Sequence, residues 1–248
     1  MDYSRACIPA ELATPPYLCR FIDTTTAAPW QECYHTNHLM TRTESKKWKM
    51  ELLRYVSEDN QLVTGCETGH DASVPFLHYF EGMLSLGPYR APDAGRDMAR
   101  IWTNAPEGMV KFQLGHEYRL PLWELVFHDC VVAQWYWGDC NNKLPMLWDK
   151  RDLFNLLYAT PPMFMFNRDL WQKSQSRFVQ SYQTTCPTVR EVSYIEMTGH
   201  QFLTPDRSVQ QTTFANGARV TVNFDNAPYR LSATVSVAPM GYRVEKSE

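Results

Sequence analysis

Tyr17-Leu18-Cys19-Arg20-Phe21-Ile22-Asp23 and Gln61-Leu62-Val63-Thr64-Gly65-Cys66-Glu67 are two short apolar runs that each end in a carboxylate. Both are too short for a helix and read as buried strands. Between them, Thr41-Arg42-Thr43-Glu44 has the form of a capping box. Trp48, Leu52, Leu53 and Val56 then recur at helical spacing to about Ser57. Strand, loop, helix, strand is the grammar of a parallel sheet with right-handed crossovers.

Working outward, residues 1–16 read as irregular, because Pro9, Pro15 and Pro16 interrupt them. Residues 71–85 read as a helix around Val74, with Pro75 as a break, and residues 86–110 as a long loop. The run from Leu122 to Phe127 predicts a third strand, ending in His128-Asp129. Residues 149–158 and 169–184 predict helices, and Pro162-Met163-Phe164-Met165-Phe166-Asn167 a fourth buried strand. After Cys186-Pro187 the pattern changes. Residues 208–215 and 218–224 flank Asn216-Gly217, a strong hairpin signal, and residues 230–238 supply another strand. The expected organisation is an α/β catalytic domain over residues 1–188 and a small antiparallel β domain over residues 189–248.

Composition narrows the function. Of 248 residues, 44% are hydrophobic and 21% charged, so general disorder is excluded. The formal charge of -3 argues against a nucleic-acid partner, which needs a basic face. No apolar run approaches the roughly 20 residues of a membrane helix, and Met1-Asp2-Tyr3-Ser4-Arg5 is not the start of a signal peptide. These readings assign no compartment. Seven cysteines without CxxC spacing describe neither a disulfide framework nor a zinc site. The histidines lack HExxH or His-x-His spacing, so no metal is expected. Phosphate loops and the Gly-x-Ser-x-Gly elbow are absent, and no cofactor is expected.

The strand-end groups carry the chemistry. In (β/α)8 barrels the active site lies at the C-terminal ends of the strands. Two carboxylates there suit glycoside hydrolysis, one attacking the anomeric carbon and the other protonating the leaving oxygen. Each group also has a plainer reading. Asp23 alone reads as a loop-ordering carboxylate, His128-Asp129 as a hydrogen-bonded core pair, and Trp135-Tyr136-Trp137 as core packing. Gly65 and Gly69 around Glu67 imply a deliberately shaped backbone. Taken together at one strand end, the functional reading prevails. Trp135 and Trp137 are then candidates for a sugar platform, with Asp139 and Asn141 as hydrogen-bonding partners.

Phe21-Ile22-Asp23, followed 44 residues later by Glu67 in Val63-Thr64-Gly65-Cys66-Glu67-Thr68-Gly69, resembles the core of glycoside hydrolase families 101 and 129. Those are retaining α-N-acetylgalactosaminidases with an Asp nucleophile after barrel strand four and a Glu acid/base after strand five. The resemblance implies Asp23 as nucleophile and Glu67 as acid/base, with a carbohydrate substrate. His128-Asp129 is similar to the His-Asp pair that contacts sugar hydroxyls late in α-amylase-type barrels. It implies a partial (β/α)8 barrel, about strands four to eight, followed by the β domain. Two outcomes follow: a retaining hydrolase of α-linked hexose or N-acetylhexosamine, or an inactive carbohydrate-binding or structural remnant. A barrel typically needs about 250 residues. The missing strands therefore call for an N-terminal half-barrel as partner, an open edge near Leu18 to Ile22, and exposed rings at Trp135 to Trp137.

Overall fold

The computed structural model describes residues 1–13, 16–83, 87–91, 97 and 99–246, and the chain divides into two compact units, Met1–Met83 and Leu84–Glu248. In the first unit the order is α1 (Asp2–Leu12), β1 (Cys19–Ile22), α2 (Arg42–Arg54), β2 (Val63–Glu67) and β3 (Tyr79–Met83). β1 pairs with β2 and β2 with β3, both in parallel, so β1 is the outer strand of the three. The capping box forms as read: Glu44 N donates to Thr41 Oγ1 (3.2 Å) and Thr41 N to Glu44 Oε2 (2.8 Å). A π-helical turn, Tyr55–Asp59, then brings the chain to β2.

Two readings of this unit are corrected. Residues 2–12 are helical despite Pro9. Ile8 is buried against Val56 and Leu62, with Leu12 and Ile22 beside them, and this packing offsets the hydrogen bond that proline removes. The predicted helix at 71–85 is a 3-10 turn, Asp71–Phe76, followed by β3. Pro75 lacks the donor a longer helix needs, and the bulky alternation of Tyr79-Phe80-Glu81 suits a pleated strand. Residues 84 and 85 lie outside the described residues.

The second unit holds α3 (Glu107–Leu114), α4 (Leu122–Phe127), β4 (Val132–Trp135), α5 (Trp148–Tyr158) and α6 (Arg168–Val192). β5 (Met197–Phe202), β6 (Val209–Phe214), β7 (Arg219–Asn223), β8 (Tyr229–Arg230), β9 (Ser236–Val237) and β10 (Gly241–Glu245) follow. An antiparallel sheet runs in the order β10-β7-β6-β5, and β8 pairs with β9. Gly217 takes φ +86° in the β6–β7 hairpin, as the Asn-Gly signal requires. The inner faces of β6 and β7 close over α5, burying Phe154, Leu157, Tyr158, Phe214, Val220 and Val222 in one core.

Other readings change here. Leu122–Phe127 is helix α4, not a strand; Pro121 precedes it, and Leu122 and Val126 are exposed. Periodicity alone does not separate a six-residue apolar run into strand or helix. The segment 162–167 is extended but belongs to no ladder, because asparagine side chains satisfy its backbone. Asn142 Oδ1 accepts from Met165 N and its Nδ2 donates to Met165 O, both at 2.8 Å. The helix read at 169–184 runs on to Val192, and residues 230–238 form two short strands rather than one. Of the loop read at 86–110, residues 86, 92–96 and 98 lie outside the described residues, and α3 begins at Glu107.

Candidate active site

In the first unit, the register places two carboxylates side by side. The last ladder pair of β1 and β2 is Ile22↔Cys66, so Asp23 and Glu67 each stand one residue further on. Ile22 joins the apolar cluster with α1 and α2. Strand alternation therefore turns Phe21, Gly65 and Glu67 to the opposite face, and Asp23 opens the turn that follows β1. Asp23 is exposed and its Oδ1 accepts from Thr24 N (2.9 Å), with Thr24 in the left-handed region at φ 55°. The turn is clamped to the end of β2: Thr26 Oγ1 donates to Glu67 O (2.7 Å), and Cys66 Sγ donates to Ile22 O (2.6 Å). Glu67 is half-buried, and Thr68 beyond it donates to Glu81 O (3.0 Å).

The two glycines have steric reasons. A Cβ on Gly65 would run into the ring of Tyr79, and one on Gly69 into the ring of Phe80. The Tyr79 ring lies across Gly65, stacks on Phe21 (centroids 6.3 Å apart) and brings its hydroxyl to 3.6 Å from Cys19 Sγ. Burial pushes the Tyr79 phenol up to about 12, with Cys19 adding to the shift. Tyr79 and Glu81 did not emerge from the sequence reading. The strand alternation of residues 79–83, assigned to a helix, was the signal that could have found them.

The other six candidates lie in the second unit, and their surroundings are different. His128 and Asp129 follow helix α4 and precede β4, so they are not at the C-terminal end of a strand. Buried His128 donates from Nδ1 to Ile195 O (2.8 Å), and burial pushes its imidazole down. Asp129 is exposed and accepts from Cys130 Sγ (3.3 Å). Trp135 does end β4, but its Nε1 donates inward to Glu124 (2.7 Å). Trp137 is fully buried beneath the Arg119 guanidinium, so the exposure expected of these rings is overturned there, while Trp135 and Tyr136 are half-buried. Asp139, 1% exposed, receives Trp102 Nε1 (3.0 Å) and the Lys143 ammonium (3.2 Å). Arg151 donates to the Asp139 carbonyl and to Trp135 O (3.2 Å), and burial pushes its guanidinium down to about 10. Asn141 is fully buried: Nδ2 donates to Asn155 Oδ1 (3.1 Å), and Oδ1 accepts from Met163 N (3.4 Å). The hydrogen-bonding groups after β4 are directed into the protein because the sequence surrounds them with partners of its own.

Among the described residues, no group of three or more His, Cys, Asp or Glu side chains could hold a metal ion. No described helix is long and apolar enough to cross a membrane. No disulfide joins any of the seven cysteines, all of which lie among the described residues.

The family model of glycosyl hydrolases related to GH101 family, GH129, matches residues 103–213. That match lies within the second unit and does not include Asp23 or Glu67. No curated protein matches. Among solved structures, the α-N-acetylgalactosaminidase NagBb from Bifidobacterium bifidum, in complex with GalNAc, is 24% identical with a TM-score of 0.68. The match covers 98% of this chain and 34% of that one. Its ligand-free form is 25% identical, TM-score 0.68, covering 98% and 33%. Its Gal-NHAc-DNJ complex is 23% identical, TM-score 0.67, covering 100% and 35%. The chain thus spans about a third of the length of the solved relatives it matches. It resembles glycoside hydrolases of this kind, and its fold is a partial (β/α)8 barrel followed by a β domain.

Proposed function

We propose that this chain carries the two catalytic carboxylates of a retaining glycoside hydrolase acting on an α-linked hexose or N-acetylhexosamine. The observation that carries the reading is the matched register of Asp23 and Glu67 at the ends of adjacent parallel strands. Parallel neighbours lie about 4.8 Å apart, and a retaining pair needs its carboxyl groups about 5–5.5 Å apart. The likeness to an α-N-acetylgalactosaminidase solved with GalNAc supports an N-acetylhexosamine substrate.

The steps follow from that spacing. Asp23 attacks the anomeric carbon while Glu67 gives its proton to the glycosidic oxygen, and the aglycone leaves. Water then attacks the glycosyl-Asp23 bond as Glu67 takes back a proton, so the α configuration is retained. Asp129 and Trp135 remain proposals as sugar contacts, while the burial of His128, Trp137, Asp139 and Asn141 favours a structural role for these four.

An inactive carbohydrate-binding or structural remnant is the second reading. It is favoured by the open sheet edge at β1, where Leu18 is 81% and Phe21 40% exposed. An N-terminal half-barrel pairing with that edge would complete the site. The test is hydrolysis of an aryl α-N-acetylgalactosaminide, with Asp23→Ala as the variant and azide as the rescuing nucleophile. Turnover lost in the variant and restored as a β-glycosyl azide is the expected result. Full activity in Asp23→Ala would remove the nucleophile assignment. Binding of N-acetylgalactosamine without any turnover would select the second reading.

A further inference from the structure

β3 brings a third carboxylate to the row. The β2–β3 ladder pairs Glu67 with Glu81, and Asp23 stands level with Glu67 on the other side. Asp23, the residue just past β1, and Glu67 and Glu81, within β2 and β3, therefore occupy one level across three successive parallel strands. Paired residues of a ladder share a face, so Glu67 and Glu81 lie together on the face opposite Cys66 and Phe80, and Asp23 stands one residue beyond the Ile22–Cys66 pair. Neighbouring strands are about 4.8 Å apart. Glu67 has a carboxylate-bearing neighbour at that spacing on both sides. Each outer residue has one such neighbour and a second at roughly twice the distance.

Ionised carboxylates on neighbouring positions of one face repel, so a row of them releases its protons one after another. A proton on the central member relieves both close repulsions, whereas a proton on an outer member leaves one close repulsion in place. From this juxtaposition we infer that Glu81 is a positioning residue for the acid/base: its charge keeps the proton on Glu67. This rests on the reading of Glu67 as the general acid, and it supplies what that role needs, a carboxyl group still protonated when substrate arrives. Other ionisable groups border the row. Tyr79 directs its hydroxyl to Cys19. His70 and Asp71 begin the 3-10 turn between β2 and β3, and burial pushes the His70 imidazole down. The ammonium of Lys49, on α2, donates to the carbonyls of Ala28 (2.7 Å) and Pro29 (3.3 Å).

The test is a carbon-detected NMR titration of the side-chain carboxyl groups in the 248-residue chain, which needs no turnover. Glu67→Gln and Glu81→Gln assign the signals. Glu67 is expected to lose its proton at higher pH than Glu81. Glu81→Gln should lower the Glu67 midpoint by on the order of one pH unit, and Asp23→Asn should lower it as well. A Glu67 midpoint unmoved in Glu81→Gln would overturn the inference. If Glu81→Gln does not fold, the order of the two midpoints in the unmodified chain decides, and a higher midpoint for Glu81 overturns it. The hydrolase reading fails separately: the expected titration order with no aryl glycoside turnover would overturn that reading and leave the charge relation standing.

Discussion

Asp23 and Asp139 both follow a β-strand and differ in almost everything else. Asp23 is exposed beside a second carboxylate, with its Oδ1 held by the backbone of its own turn. Asp139 is enclosed and receives an indole N–H, a backbone N–H and an ammonium. A carboxylate with spare acceptor capacity on an open face can act on a ligand. One whose acceptors are filled from within holds the fold. The same contrast separates Phe21, which lines an open face, from Trp137, which is sealed under Arg119.

The largest effect that would sharpen this contrast is on turnover. Asp23→Ala should lower kcat of the assembled enzyme by on the order of 10⁴-fold or more, in the range for removal of a covalent nucleophile or its partner. Its urea-unfolding midpoint should stay close to that of the unmodified chain. A large loss of stability in Asp23→Ala would show that this residue, too, is structural. Asp139→Ala should do the reverse. Removing one partner of a buried ion pair leaves Lys143 uncompensated, at a cost of about 3–5 kcal/mol. A variant that unfolds normally but loses sugar binding would break the comparison at its second member.

A third test uses pH. Burial pushes the Glu124 carboxyl up to about 7 from an ordinary 4.5. The folded chain then holds a proton that the unfolded chain releases, so stability is greatest below about pH 4.5 and falls as pH rises towards 7. The full change is roughly 3 kcal/mol. Glu124→Gln can keep an acceptor for Trp135 Nε1 and should remove this fall, leaving the variant more stable than the parent at pH 8. Parallel stability–pH curves for the two proteins would show that Glu124 is not held in a dry interior.

Why some of this was legible in sequence, and some not, follows from where the physical information resides. The strands at 19–22 and 63–67, the capping box at Thr41 and the Asn216-Gly217 hairpin are local signals, and each is present in the fold. So is the alignment of Asp23 with Glu67, because a parallel crossover fixes which strand ends meet. The fate of residues 122–127 was not local: six apolar residues serve as strand or helix, and packing decides. Nor was the burial of Asp139 and Asn141, since their partners Trp102, Asn155 and Met163 come from other segments. Glu81 was hidden behind the helix reading of residues 71–85. Once Tyr79–Met83 is a strand, its register with β2 places Glu81 beside Glu67.

The smallest predicted effect concerns the floor beneath the carboxylates. Gly65 lies between Phe21 and Tyr79 in the register, and the Tyr79 ring covers the space its side chain would fill. Its φ is not in the left-handed region, so the constraint is contact and not backbone strain. Gly65→Ala must push the ring away, breaking its stacking on Phe21 and its approach to Cys19. Overpacking of this kind costs about 1–3 kcal/mol, readable as a lower unfolding midpoint. If the ring only yields, Glu67 keeps its strand position and turnover falls much less than in Asp23→Ala. The double variant Gly65→Ala/Tyr79→Ala separates the causes. If the clash is the reason for glycine, alanine at position 65 should be harmless once the ring is gone. A cost that persists without the ring would mean that position 65 is held to glycine by the backbone of β2 itself.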